Sequence, residues 1–203
     1  MFLKSFSIPL NLLNSTKRYF ATAPTIKPIF KQRPPQLLQR VLHIRKVSRT
    51  NSGGKVRSTS ACVVVGDQNG SAGFGIGRGS DSSIAIQKAT LKAKKNLTKF
   101  LRLDNRTIYS DINFKFHAVN VEMRTTKPGS GIVANLHVHE VCRCVGISDI
   151  SVKIRGSNNP MNVIQATFAA LASQKTPQDI AKMRGKKVHD LEMTYYGMDL
   201  PKY

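Results

Sequence analysis

Two stretches of this chain combine residue types that do chemistry. The first is Gly73-Phe74-Gly75-Ile76-Gly77-Arg78-Gly79, followed by Lys88, Lys92, Lys95 and Lys99. Glycines near basic residues cradle phosphates in nucleotide sites. A dinucleotide fingerprint needs G-x-G-x-x-G, however, and a P-loop needs G-x-x-x-x-G-K-[ST]. Here the glycine spacing is strictly two, Arg78 or Ser80 stands where the third glycine should be, and no P-loop pattern exists. The second stretch is His137-Val138-His139-Glu140-Val141-Cys142-Arg143-Cys144. Zinc needs four such ligands converging tetrahedrally. On a helix, His137 and Cys144 share one face while His139 and Cys142 share another. On a strand the histidines and cysteines face opposite ways, so neither conformation makes a metal site. No metal, cofactor or catalytic residue is assigned. No Ser/His/Asp order or carboxylate pair stands out among eleven acidic residues.

The elements that position these residues follow from local patterning. Asn69-Gly70 between Val63-Val64-Val65 and the glycine strand predicts a tight hairpin with positive φ at both turn residues. Alternating glycines leave one strand face bare, which marks close approach of a backbone or ligand. A helix starts at Ser80 or Asp81, with Ile86, Ala89, Ala93, Leu97 and Phe100 facing the sheet and the lysines on the other side. Upstream, Val41, Ile44 and Val47 define a strand carrying Arg45, Lys46 and Arg49. Thr50 to Lys55 forms a turn, and Arg57 to Val65 the next strand. Ser52, Gly53, Gly54, Lys55 and Arg57 make a basic tip whose backbone N–H groups suit phosphate.

After a polar separator at Leu103–Ser110, alternation over Ile112–Phe116 and again over Val119–Met123 changes phase, predicting a bulge or corner near Ala118. Lys127–Gly131 is a tight loop, Ile132–Val145 a helix closed by Gly146, and Ile150–Ile154 a strand with a basic outer face. Asn159 and Pro160 open another helix, and Thr176 begins a short one ending at Gly185. The fold class is α+β: a β-β-β-α unit like a double-stranded-RNA-binding domain, then a β-α-β-α unit. The expected boundaries are 1–20 for a leader, 21–39 for a basic linker, 40–103 and 110–175 for the two domains, and 176–203 for an extension.

Charge selects the partner. The 203 residues carry 32 Lys+Arg against 11 Asp+Glu, a net charge of +21. Self-repulsion on that scale calls for a polyanion, and nucleic acid is the default. No apolar run is long enough for a bilayer span, so no membrane anchor is expected. With 7% aromatic residues and no Trp, phosphate and shape contacts should outweigh base stacking. Twelve Lys/Arg precede the first acidic residue, Asp67. Residues 1–20 are acid-free, basic, Ser-bearing and amphipathic, as in a mitochondrial transit peptide, with a cleavage pattern at Arg18-Tyr19-Phe20-Ala21. A plain basic arm is the alternative. Three cysteines suit a reducing compartment.

The ordered motifs Ser52–Arg57, Val64–Gly70, Gly73–Gly77, Ala85–Ala89, Gly129–Ile132, Gly156–Val163 and Ala181–Lys186 resemble the small-subunit ribosomal protein S five family, in its bacterial and organellar form, over about residues 37–192. The resemblance implies no catalysis. It implies a protein of the mitochondrial matrix, in the small ribosomal subunit, holding rRNA near the decoding region and the mRNA entry channel. Its implied neighbours are ribosomal proteins S four and S eight. It maps rRNA contact onto the tip at Gly53, Gly54 and Lys55, and a protein interface onto Gly129, Gly131, His139, Arg155 and Asn159. The chain departs from the family at Asn135–His139, where a Gly-Gly-Ala-Met-Arg run is usual and His139 stands for the arginine. The competing readings are a small enzyme of the same C-terminal fold, which would need an ATP loop and acidic metal ligands, and a free double-stranded-RNA-binding regulator.

Overall fold

The computed structural model describes residues 36–188, so the expected leader and most of the linker lie outside the described residues, as does the end of the extension. The first sheet is antiparallel, with strands β1 (Leu38–Asn51), β2 (Gly54–Gly66), β3 (Ser71–Gly79) and β4 (Thr98–Lys99) in that spatial order; helix α1 (Ser82–Lys95) links β3 to β4. The second sheet contains β5 (Ile112–Phe116), β6 (Val119–Arg124), β7 (Ile132–Val133) and β8 (Ile150–Gly156), ordered β5-β6-β8-β7, with β7 parallel to β8. Helices α2 (Leu136–Val145), α3 (Pro160–Ala172) and α4 (Pro177–Arg184) complete the described chain. The architecture is α+β, strands then helix followed by a second sheet with helices. No helix among the described residues is long and apolar enough to cross a membrane.

The glycine strand explains how α1 sits. Opposite residues across β2 and β3 include Val63 with Gly75 and Val65 with Gly73. Val63 and Val65 pack with Ala89 and Ala93 of α1. A Cβ on Gly75 or Gly77 would overlap the Ala89 or Ala85 carbonyl oxygen. The bare strand face is therefore filled by the backbone of its own helix, lined there by alanines. Dispersion falls steeply with separation, so this close approach stabilises the pair without large side chains.

The opposite face of the first sheet joins a larger core. Cys62, Val64 and Ala72 pack with Val138, Val141 and Cys142 of α2, with Val121 and Ile150 of the second sheet, and with Phe168 and Leu171 of α3. Phe74 and Phe168 rings meet at 5.0 Å. One continuous core thus spans both sheets.

Several local expectations need correction. The β2–β3 turn places Gln68 (φ 60°) and Gly70 (φ 99°) in left-handed conformations, not Asn69 and Gly70. Asp67 organises this loop, its Oδ1 accepting from the N–H groups of Asn69 at 2.8 Å and Ser71 at 2.9 Å. Helix α1 ends at Lys95, so Leu97 and Phe100 lie beyond it; Phe100 reaches the core, and Leu97 does not. The phase change near Ala118 is a two-residue hairpin turn with His117 left-handed (φ 51°), not a bulge. Ile132 and Val133 form β7, and α2 starts only at Leu136, capped by the Asn135 side chain accepting from His137 N–H at 3.3 Å.

The Leu103–Ser110 stretch is not a passive separator. Ile108 and Thr107 are buried. Just before it, Arg102 Nη1 donates to the carbonyls of Gly146 at 2.7 Å, Gln68 at 3.3 Å and Asn105 at 3.3 Å. One guanidinium therefore ties the β2–β3 loop, its own loop and the end of α2.

Candidate nucleic-acid interface

The β1–β2 hairpin is a long two-stranded ribbon that runs past the buried part of its sheet. Residues Ser48–Arg57 are all exposed, whereas β2 is buried from Thr59 onward. Its register determines where the cations go. Arg45 stands opposite Ser60, which stands opposite Arg78 of β3. Opposed residues of an antiparallel pair share a face, so Arg45, Arg78 and, four residues on from Arg45, Arg49 lie on the face away from α1. Lys46, paired with Thr59, lies on the α1 face, as do Lys55 (paired with Thr50) and Arg57 (paired with Ser48). The ribbon is thus cationic on both sides. At its end Gly53 and Gly54 stand in open space, and Gly54 has φ 132°, a conformation that disfavours any side chain.

The α1 face continues the charge. Ala85, Ala89 and Ala93 turn to the sheet, leaving Lys88, Lys92 and Lys95 exposed with Lys94; Lys99 is exposed on β4. Lys94 extends the stripe and was missed because the helical spacing singled out one residue row only. A groove of about 450 Å³ between β3 and α1 is lined by Ile76, Gly77, Arg78, Lys88, Leu91 and Lys92. Arg78, although its side chain belongs to the sheet face away from α1, borders this groove with Lys88 and Lys92. Ser52 is exposed beside the tip glycines.

The residues assigned to a protein interface occupy a different region. Gly129 (φ 84°) and Gly131 (φ 71°) shape an exposed loop. Buried Asp149 holds it, accepting from the Gly131 N–H at 2.8 Å and pairing with Arg106 at 3.1 Å. The Gly131 N–H bond keeps the Asp149 carboxyl below its ordinary value, against an opposing effect of burial, with the Arg106 hydrogen bond helping. Sequence patterning missed Asp149, because its role depends on a contact eighteen residues away. Val133 and Leu136, beside this loop, are 60% and 69% exposed. His139 Nδ1 lies 3.6 Å from Glu140, whose other oxygen pairs with Arg40 of β1 at 3.3 Å. Asn159 is committed to capping α3, accepting from Met161 N–H at 3.3 Å. Arg155 is not gathered with these; it projects from the outer face of the second sheet, 2.6 Å from Glu122.

The His/Cys stretch lies along α2. Burial pushes the Cys142 thiol to about 12 and those of Cys62 and Cys144 to about 11. Protonated thiols are poor ligands and poor nucleophiles. Among the described residues no group of three or more His, Cys, Asp or Glu is arranged to hold a metal ion.

Two sheets sharing one core, with a projecting basic ribbon and a lysine-faced helix, define a two-part α+β protein built to present cationic surface. Comparison with known families agrees in order and extent. The family described as ribosomal protein S5, N-terminal domain, matches residues 37–100, and that described as ribosomal protein S5, C-terminal domain, matches 114–184. The chain belongs to the ribosomal protein S5 family, a family of small-subunit ribosomal proteins and not of enzymes. Small ribosomal subunit protein uS5 of Ureaplasma urealyticum is 41% identical over 153 residues, covering 75% of each chain. Its mitochondrial counterpart uS5m from Schizosaccharomyces pombe is 44% identical over 152 residues, and that from Neurospora crassa 40% over 166. These matches cover 75% and 80% of this chain, which spans only 39% and 35% of those two relatives.

Proposed function

We propose that this chain is a structural protein of the mitochondrial small ribosomal subunit that holds rRNA by neutralising phosphates. The observation that carries the reading is the ribbon: Arg45, Lys46, Arg49, Lys55 and Arg57 distributed over both faces of an exposed hairpin, continuous through Arg78 with Lys88, Lys92, Lys95 and Lys99. A ribbon cationic on both sides suits insertion between RNA segments, and open glycines at Gly53 and Gly54 let phosphate approach the tip backbone. The likeness to uS5m supports the mitochondrial setting, and the acid-free residues 1–20 are read as the leader that delivers the chain to the matrix. Residues 40–103 and 110–175 are read as the two domains.

In this reading, which the family resemblance supports, the site lies near the decoding region and the mRNA entry channel, and the chain supports accurate translation there. In the same reading the loop at Gly129 and Gly131, with exposed Val133 and Leu136 beside it, meets ribosomal protein S four, and S eight is a second neighbour. The charge contact expected of an arginine at position 139 is weakened, because His139 takes the place of that permanently charged side chain. Fractionation of mitochondrial lysate on a sucrose gradient tests the assignment. The mature chain should sediment with small ribosomal subunits; recovery as free protein would favour an independent RNA-binding regulator.

A further inference from the structure

A second cationic surface lies on the other sheet. The inner face of the second sheet carries Ile112, Val119, Val121, Met123, Ile150 and Val152, all buried in the shared core. Its outer face is polar apart from Val133, which stands beside Ser151 on the edge strand β7 and is 60% exposed. In the strand register Lys115 stands opposite Asn120, which stands opposite Arg155; the next row is Asn113, Glu122 and Lys153; the third pairs Arg124 with Ser151. Opposed residues share a face, so Lys115, Arg124, Lys153 and Arg155 project together. Glu122 pairs with Arg155 at 2.6 Å and approaches Arg124 at 4.0 Å. Lys115 and Lys153 have no carboxylate partner among the described residues. Asp111 at the margin is engaged by the Thr125 N–H at 2.9 Å.

We propose that this outer face is a second RNA-backbone docking surface, separate from the hairpin and α1. Three properties favour RNA as its occupant. Cations outnumber carboxylates on it. The neutral residues between them, Asn113, Asn120 and Ser151, are hydrogen-bonding groups suited to phosphate and 2′-hydroxyl oxygens. Its one apolar side chain, Val133, sits on the edge strand β7, and its centre holds no apolar or aromatic anchor of the kind found at the middle of a protein–protein interface. A two-residue step along a strand and a two-strand step across the sheet set the charges roughly 7–10 Å apart. That spread suits a backbone lying across the sheet better than one bound anion.

The inference rests on the RNA-binding reading but uses different residues, so the two fail differently. The test is binding of the full chain to a transcript of the mitochondrial small-subunit rRNA, measured by fluorescence anisotropy from low to moderate salt. Lys115→Gln with Lys153→Gln should weaken binding roughly three- to tenfold and reduce the slope of log affinity against log salt by about 1–2. These side chains are exposed, and an unchanged circular dichroism melt checks folding. Salt-dependent wild-type binding with no change in the double variant would overturn this inference alone. Wild-type binding without salt dependence would overturn the phosphate-led reading of both surfaces. A double variant that binds RNA normally but is missing from small subunits would assign the face to a protein, which also overturns the proposal.

Discussion

A side chain on Gly77 of β3 would overlap the carbonyl oxygen of Ala85 in α1. The contact is backbone to backbone, so neither partner can yield by changing rotamer. Gly77→Ala should therefore destabilise the fold by about 1–3 kcal/mol, the usual range for overpacking a filled site. Gly53→Ala, in open space at the hairpin tip, should stay within about 0.5 kcal/mol of wild type. Urea unfolding of both variants measures the difference. Equal stabilities would mean that the glycine face does not set the α1 distance.

Arg102 joins three chain segments through carbonyl oxygens. Arg102→Met keeps much of the aliphatic stem and removes the donors, leaving the Gly146 carbonyl without its 2.7 Å partner. A loss of about 1–3 kcal/mol is expected. Hydrogen exchange should show faster opening in the Gln68–Gly70 loop and at the end of α2. A stable variant with unchanged exchange would remove Arg102 from this role.

Two carboxylates predict an acid limit to stability. Burial acts to raise Asp67, but the backbone N–H groups of Ser71 and Asn69 outweigh it; the Gly131 N–H dominates at Asp149. Both lie below the ordinary 3.8 in the folded chain. Their contribution is fully present above that value and is lost as pH falls through the lower folded values. The melting temperature should drop as pH falls below about 4, and Asp149→Asn should flatten part of that slope. An acid slope identical in the variant would contradict the assignment to Asp149.

The cysteines should be inert in the native state. With thiols raised to about 11 and about 12, alkylation by iodoacetamide near neutral pH should require unfolding. Mass spectrometry of a native labelling time course checks this, and rapid labelling of Cys142 before unfolding would contradict it.

The strands-then-helix order of the first unit, the caps at Asn159 and Thr176 and the helix ends at Gly146 and Gly185 were legible because local residue chemistry decides them; β7 and the Asn135 cap were not, since Ile132–Val145 reads as one continuous helix. The exposed cations were legible for the same reason. What fills the glycine face was not, since a bare strand surface receives a helix or a ligand equally well until tertiary packing chooses. Arg102 and Asp149 were hidden because their partners are distant in sequence. Gln68 displaced Asn69 from the left-handed position because Asp67 takes the Asn69 N–H, a preference outside the two-residue turn rule. Arg155 was grouped with the Gly129 loop by resemblance, whereas the register of β6 and β8 sends it to the outer face of its sheet.

The central claim is that phosphate neutralisation by the ribbon and α1 holds the RNA. Its most direct test is the salt dependence of rRNA binding by the full chain, wild type against Lys92→Glu with Lys95→Glu. Wild-type affinity should fall steeply with salt. The double variant should melt like wild type, bind at least tenfold more weakly and show a slope shallower by about 1.5. A salt-insensitive wild type, or a double variant with unchanged affinity, would contradict the account.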